Sequence, residues 1–95
     1  MALQFEWDAR KARANKAKHG VSFEEAVSVF ADPLARIFDD PEHSESERRE
    51  IIIGHSDWRN LILVSFVEAE ERVRLINARK ATRGERRDYE ERVGS

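Results

Sequence analysis

Apolar and polar positions change period several times along the chain, and each change marks an element. Leu3-Gln4-Phe5-Glu6-Trp7 alternates as a half-buried strand does, and Asp8 is placed to cap a helix from Ala9 to about Lys18 that Gly20 stops. Ser22 and Glu25 have capping-box spacing, with Val21 available as a hydrophobic staple to Ala26. Phe23, Ala26, Val27 and Phe30 then recur at helical spacing to about Ala31, where Asp32-Pro33 ends the helix; this face reads as core. Ala35 to Phe38 reads as a strand, and Asp39 to Glu47 as a polar, turn-rich loop. Two apolar strands follow, Glu50 to His55 and Asn60 to Val67, joined by a turn over Ser56 to Asn60. Glu68 to Glu71 turns the chain into a strand beginning at Arg72, so the last three strands form an antiparallel meander. Thr82 and Glu85 repeat the capping-box spacing before a final helix from Arg83 to about Arg92, whose apolar surface is little more than Tyr89 and Val93. The expected order is β-α-α-β-β-β-β-α, an α+β domain in which an antiparallel twisted sheet packs against helices.

Composition narrows the class. At 95 residues the chain is the size of one domain with a modest core, 38% of it charged and 40% hydrophobic. It has no cysteine, hence no disulfide framework or thiolate metal site, and no apolar run of membrane-spanning length, so a soluble, cytoplasmic protein is expected. The net charge of −2 conceals a division. Residues 1–20 carry five basic side chains against two acidic, residues 72–95 eight against four, and residues 21–71 four against thirteen. A nearly neutral chain can thus present a basic face to a polyanion, because local potential steers better than net charge; the plainer alternative is that the terminal helices simply have solvated charged faces.

The densest cationic stretch runs from Arg72 to Arg87, where the sequence expects strand to give way to helix over Ala78 to Thr82. Arg79 and Lys80 fall at that junction, where side chains and first-turn N–H groups can converge on a phosphate. His19, at the end of the first helix beside Lys18, is the titratable candidate for proton transfer, although a lone helix-terminal histidine is more often only a cap. Asp39, Asp40, Glu42 and His43 match no metal-ligand spacing and read as solvated loop. Trp7 and Tyr89 are aromatic candidates for stacking on bases, with core packing and helix docking the simpler roles.

With these residues laid out, the sequence resembles the BrnT family of type II toxin-antitoxin toxins. The resemblance is carried by Phe5-Glu6-Trp7-Asp8, Asn15 with Lys18-His19-Gly20-Val21-Ser22-Phe23-Glu24-Glu25-Ala26, Phe30-Ala31-Asp32-Pro33, Asp40 with His43-Ser44, Arg48, Ile53-Gly54, and Arg74 with Ile76, Ala78-Arg79-Lys80-Ala81-Thr82, Glu85-Arg86 and Tyr89-Glu90. It implies a RelE-like fold, a ribonuclease that inhibits translation, and a BrnA-type antitoxin with a ribbon-helix-helix domain, two toxins on an antitoxin dimer that reaches operator DNA. Cleaving RNA without a metal or other cofactor requires a deprotonated 2′-OH, a protonated 5′ oxygen and stabilisation of phosphorane charge. His19 and Arg79 are the catalytic candidates; Lys18, Arg72, Arg74, Lys80 and Arg83 are the candidate RNA contacts. Glu85 is a possible base, better explained by capping. Two departures stand out: relatives commonly carry an arginine where this chain has Ala69 and, a milder change, a serine where it has Asn77. Two readings therefore stay open, an active nuclease, or a weakly active or inactive toxin-like subunit that mainly binds its antitoxin and co-represses the operon.

Overall fold

The computed structural model describes residues 3–40, 42 and 47–94, and its elements follow the expected order. They are β1 (Gln4–Glu6), α1 (Ala9–His19), α2 (Phe23–Val29), β2 (Arg36–Asp39), β3 (Arg49–His55), β4 (Leu61–Ala69), β5 (Arg72–Lys80) and α3 (Arg83–Gly94). The caps are those the sequence indicates. The Asp8 carboxylate accepts from the Arg10 and Lys11 amides at 2.8 and 3.1 Å, Ser22 Oγ accepts from the Glu25 amide at 3.0 Å, and Gly20 ends α1 in the left-handed region at φ 72°. Helix α2 stops at Val29 rather than Ala31, because Phe30, Ala31 and Asp32 each donate to the carbonyl three residues back, tightening the chain into single turns. Most of the polar loop, with His43, lies outside the described residues.

The sheet order is β1-β5-β4-β3-β2. Strands β2 to β5 are antiparallel neighbours, but β1 joins β5 in parallel, which makes the sheet mixed rather than wholly antiparallel. A meander fixes direction only between consecutive strands; β1 and β5 are separated by most of the chain, so no hairpin constrains them.

Helices α1 and α2 cover one face, where Val21, Phe23, Ala26 and Val29 pack on Ile52, Ile62, Val64, Phe66, Val73, Leu75 and Ala78. Helix α3 lies against the other through Tyr89, over Ile53, Leu61 and Leu63. Burial on both faces explains why Leu61 to Val64 is continuously apolar instead of alternating. Gly54 sits where the connection from α2 to β2 presses on the sheet: a Cβ there would meet Ala35 Cβ at 2.9 Å, Asp32 Oδ2 at 3.0 Å and Val29 Cγ1 at 3.2 Å. Gly54→Ala is accordingly expected to destabilise the fold by about 1–3 kcal/mol through overpacking, measured by chemical denaturation.

Strand β5 contains a bulge. Phe66 pairs with Leu75 but Ser65 pairs with Asn77, leaving Ile76 as an extra residue. Strict alternation from Leu75 would turn residue 79 toward α1 and α2. The extra residue reverses that parity, so Ala78 enters the core with Val73 and Leu75 while Arg79, opposite Leu63, faces α3.

Candidate functional site

The site is built on the unshielded edge of β5. Strand β1 pairs only with residues 72–74, so beyond that point the strand's outward N–H and C=O groups need other partners. Asn15 supplies them at Ala78. Its Nδ2 donates to the Ala78 carbonyl at 2.8 Å and to the Val21 carbonyl at 3.0 Å, and its Oδ1 accepts the Ala78 amide at 3.0 Å, all from a side chain only 6% exposed. One amide thus stands in for a residue of a neighbouring strand and fixes α1 along β5. The start of α1, at Asp8 and Lys11, lies by Arg74 to Ile76, and Asn15 by Ala78, so helix and strand run the same way. His19 is one helical turn beyond Asn15, about 6 Å along the axis, and Lys80 two residues beyond Ala78, about 7 Å. Both therefore reach the same end of the sheet.

Arg79 is at that end on the opposite face. The strand continues through Lys80, so Arg79 is a strand residue rather than part of a helix start as the sequence suggested. Its guanidinium grips the Glu85 carboxylate with both terminal nitrogens, at 2.7 and 2.8 Å. Glu85 also closes the capping box, accepting the Thr82 amide at 2.8 Å while its own amide donates to Thr82 Oγ1 at 3.1 Å. The bonds from Arg79 are the main reason the Glu85 carboxyl is pushed down to about 2 from its usual 4.5, with the Thr82 bonds adding to the effect. Such a weak base cannot take a proton near neutrality; Glu85 positions Arg79 and caps α3. Because the folded state lowers this pKa, the carboxylate's contribution to stability is complete above about pH 4.5 and is lost as pH falls toward about 2. Acid titration of stability should show a shallower loss over that window in Glu85→Gln than in the wild type.

The remaining candidates divide between the two ends of β5. Lys18, Lys80 and Arg83 are exposed and His19 is half-buried, all at the end occupied by Arg79. Lys80, opposite Ile62, projects on the α1 side, whereas Arg79 projects on the α3 side, so these groups bracket the rim of the sheet. No hydrogen bond or ion pair among the described residues ties His19 to Arg79. Arg72 and Arg74 are not part of this group. They lie at the start of β5, about 20 Å away at strand rise, with Arg72 3.6 Å from Glu6 and Arg74 2.6 Å from Glu47. Ala69 stands directly opposite Arg72, at that far end too.

Two further residues of the same rim lie in a segment that the sequence marks only as a turn. The link between β3 and β4 ends beside the start of α3, where the Ala81 amide donates to the Leu61 carbonyl. At its tip Trp58 is 67% exposed and Arg59 adopts φ 64°. The turn is held by the buried Glu25 carboxylate, which accepts from Ser56 Oγ at 2.7 Å and Asn60 Nδ2 at 2.8 Å. The available signal was a tryptophan and an arginine in a tight turn that needed no apolar residue. Tyr89 and Trp7 prove to be packing residues. Tyr89 is 3% exposed, its hydroxyl donating to the Leu34 carbonyl, and Trp7 meets Phe23 edge to face.

The arrangement is that of a small α+β domain with a cationic rim at one end of its sheet, and its fold is shared with a ribonuclease toxin. The crystal structure of the Brucella abortus ribonuclease toxin BrnT matches with a TM-score of 0.66 and 24% identity, over 86% of this chain and all of that one. The family model described as the ribonuclease toxin BrnT of type II toxin-antitoxin systems matches residues 7–85. The chain belongs to this BrnT family. No curated protein matches it. Among the described residues no helix is long and apolar enough to cross a membrane.

Proposed function

We propose that this chain is an endoribonuclease that stops translation by metal-independent cleavage of mRNA and is neutralised by a BrnA-type ribbon-helix-helix antitoxin, two toxins to an antitoxin dimer. The gathering of His19, Lys18, Arg79, Lys80 and Arg83 at one end of β5, by elements that Asn15 locks together, is the observation that carries the reading. In this scheme His19 moves a proton at the 2′ or 5′ oxygen, and Arg79, held by Glu85, stabilises the negative charge on the phosphorane oxygens. Lys18, Lys80 and Arg83 hold flanking phosphates, and Trp58 offers a base-stacking surface. Arg72 and Arg74, held by Glu6 and Glu47 at the far end of the strand, form a separate contact for a longer RNA. Ala69 stands opposite Arg72, remote from Arg79, so an arginine at that position would act on RNA affinity rather than on the chemical step.

Cleavage of purified mRNA in EDTA tests the reading. The wild-type chain is expected to cut, His19→Ala to lose cutting, and Ala69→Arg to change KM with little effect on kcat. Cleavage that appears only on adding a divalent metal would refute metal independence. No cleavage by any of the three, with antitoxin binding intact, would leave the chain as the antitoxin-holding subunit of a co-repressor bound to operator DNA.

A further inference from the structure

Strand β2 is the other edge of the sheet: it pairs with β3 on one side, and no strand among the described residues pairs with its outer side. All four of its residues are exposed, Ile37 at 56% and Phe38 at 47%, with Leu34 at 56% just before it. The hydrogen-bond pattern shows which backbone groups are open. The Asp40 amide donates to the Arg49 carbonyl, in continuation of the pairs Asp39 with Glu50 and Phe38 with Ile51. In an antiparallel ladder bonded pairs alternate, so Arg36 and Phe38 direct their N–H and C=O toward β3, while Ile37 and Asp39 direct theirs outward. Natural sheets shield such an edge with charge, proline or a covering element; this one carries Arg36 and Asp39 at its two ends but presents isoleucine and phenylalanine between them.

We infer that β2 is a self-association edge, on which a second copy of this chain adds antiparallel through a twofold centred on Phe38. A twofold between antiparallel strands is perpendicular to the sheet and keeps each face on its own side, so residues brought opposite one another have numbers of equal parity. Centring on Phe38 satisfies that condition. It also bonds Ile37 to Asp39 of the second copy and the reverse, using every outward group of the strand. On the α3 face it sets Phe38 against its counterpart and Arg36 against Asp40 of the other copy, twice by symmetry. Opposite charges and aromatic pairs directly across an antiparallel ladder are favourable. The register is thus self-complementary in its backbone bonds and, on the α3 face, in charge; on the opposite face it sets Ile37 beside Asp39 of the second copy, whose carboxylate is held by Arg48 at 3.1 Å. The paired phenylalanines would lie beside the hollow of about 510 Å³ that Arg36, Ile37, Phe38, Ile53, Leu63 and Tyr89 help to line under α3. A four-residue edge is small beside the surface a stable dimer buries, so the association belongs to the weak, concentration-dependent class. The inference does not depend on the nuclease reading.

Sedimentation of the wild-type chain from low micromolar to sub-millimolar concentration should show the mass rising from 11.1 kDa toward twice that value. Arg36→Glu and Asp40→Arg should each weaken association by about tenfold, and the double variant should restore it, since the pair is only reversed. Ile37→Pro should abolish dimers while leaving the monomer's circular dichroism and melting unchanged, because it removes an N–H that bonds nothing within the sheet. A wild type that stays monomeric throughout overturns the inference, as do dimers that survive Ile37→Pro and both charge reversals. A monomer whose edge variants instead lose antitoxin binding also overturns it, assigning the edge to the antitoxin.

Discussion

Asn15→Ala is expected to be the most destabilising polar substitution in the domain. The side chain makes three buried hydrogen bonds to main-chain groups of Ala78 and Val21. Its removal leaves one N–H and two C=O groups unpaired away from water, each costing about 1–3 kcal/mol, so the total is about 3 kcal/mol or more. For a chain of this length that corresponds to a fall in Tm of roughly 15 °C. Asn15→Asp separates hydrogen bonding from shape. An ionised carboxylate can still accept the Ala78 amide but opposes both carbonyls; once protonated it can donate to one of them. The variant should therefore gain stability as pH falls, in the window where the wild type gains none from this site. Equal stability of wild type and Asn15→Ala in urea denaturation would mean that α1 is not held to β5 in this way.

Arg79→Ala carries the largest expected effect on activity, a loss of about 10²–10³-fold in RNA cleavage, the usual consequence of removing one donor aimed at transition-state charge. The fold should survive. The Arg79–Glu85 pair is partly exposed, with side-chain exposures of 38% and 32%, and such pairs contribute about 1 kcal/mol or less. The Glu85 bond to Thr82 remains to cap α3. Arg79→Lys should recover little activity, because an ammonium keeps the charge but not the two-pronged grip on Glu85 that aims it. Antitoxin binding and operator repression should be unchanged in both variants. Cleavage that persists in Arg79→Ala would remove this arginine from the chemistry, and unfolding would make it a structural residue instead.

Much of the fold was legible because its signals are local. Asp8, Ser22 and Thr82 satisfy the first N–H groups of their helices within three residues, and Gly20 takes a conformation that costs other residues more. Those contacts need no distant partner, so spacing alone places them. The grouping of Lys18 and His19 with Lys80 and Arg83 was less accessible. It rests on Asn15, which in the sequence is one polar residue inside a charged, alanine-rich helix and gives no sign that its partner lies at Ala78. Arg72 and Arg74 look like neighbours of Arg79 along the chain, yet an extended strand carries them to the far end, where acidic residues pair with them.

The sequence by itself determined the order of elements, their caps, the apolar faces and the concentration of cations after Arg72, because each depends on hydrogen bonds and periodicities that span only a few residues. Tertiary structure alone decided that β1 joins β5 in parallel and that Ile76 is bulged. It alone decided that Arg79 faces α3 and Glu85 rather than the helices on the other side. The reason is physical: strand direction and register are set by which distant backbone is available to pair, and one extra residue in a ladder of period two exchanges the faces of everything beyond it.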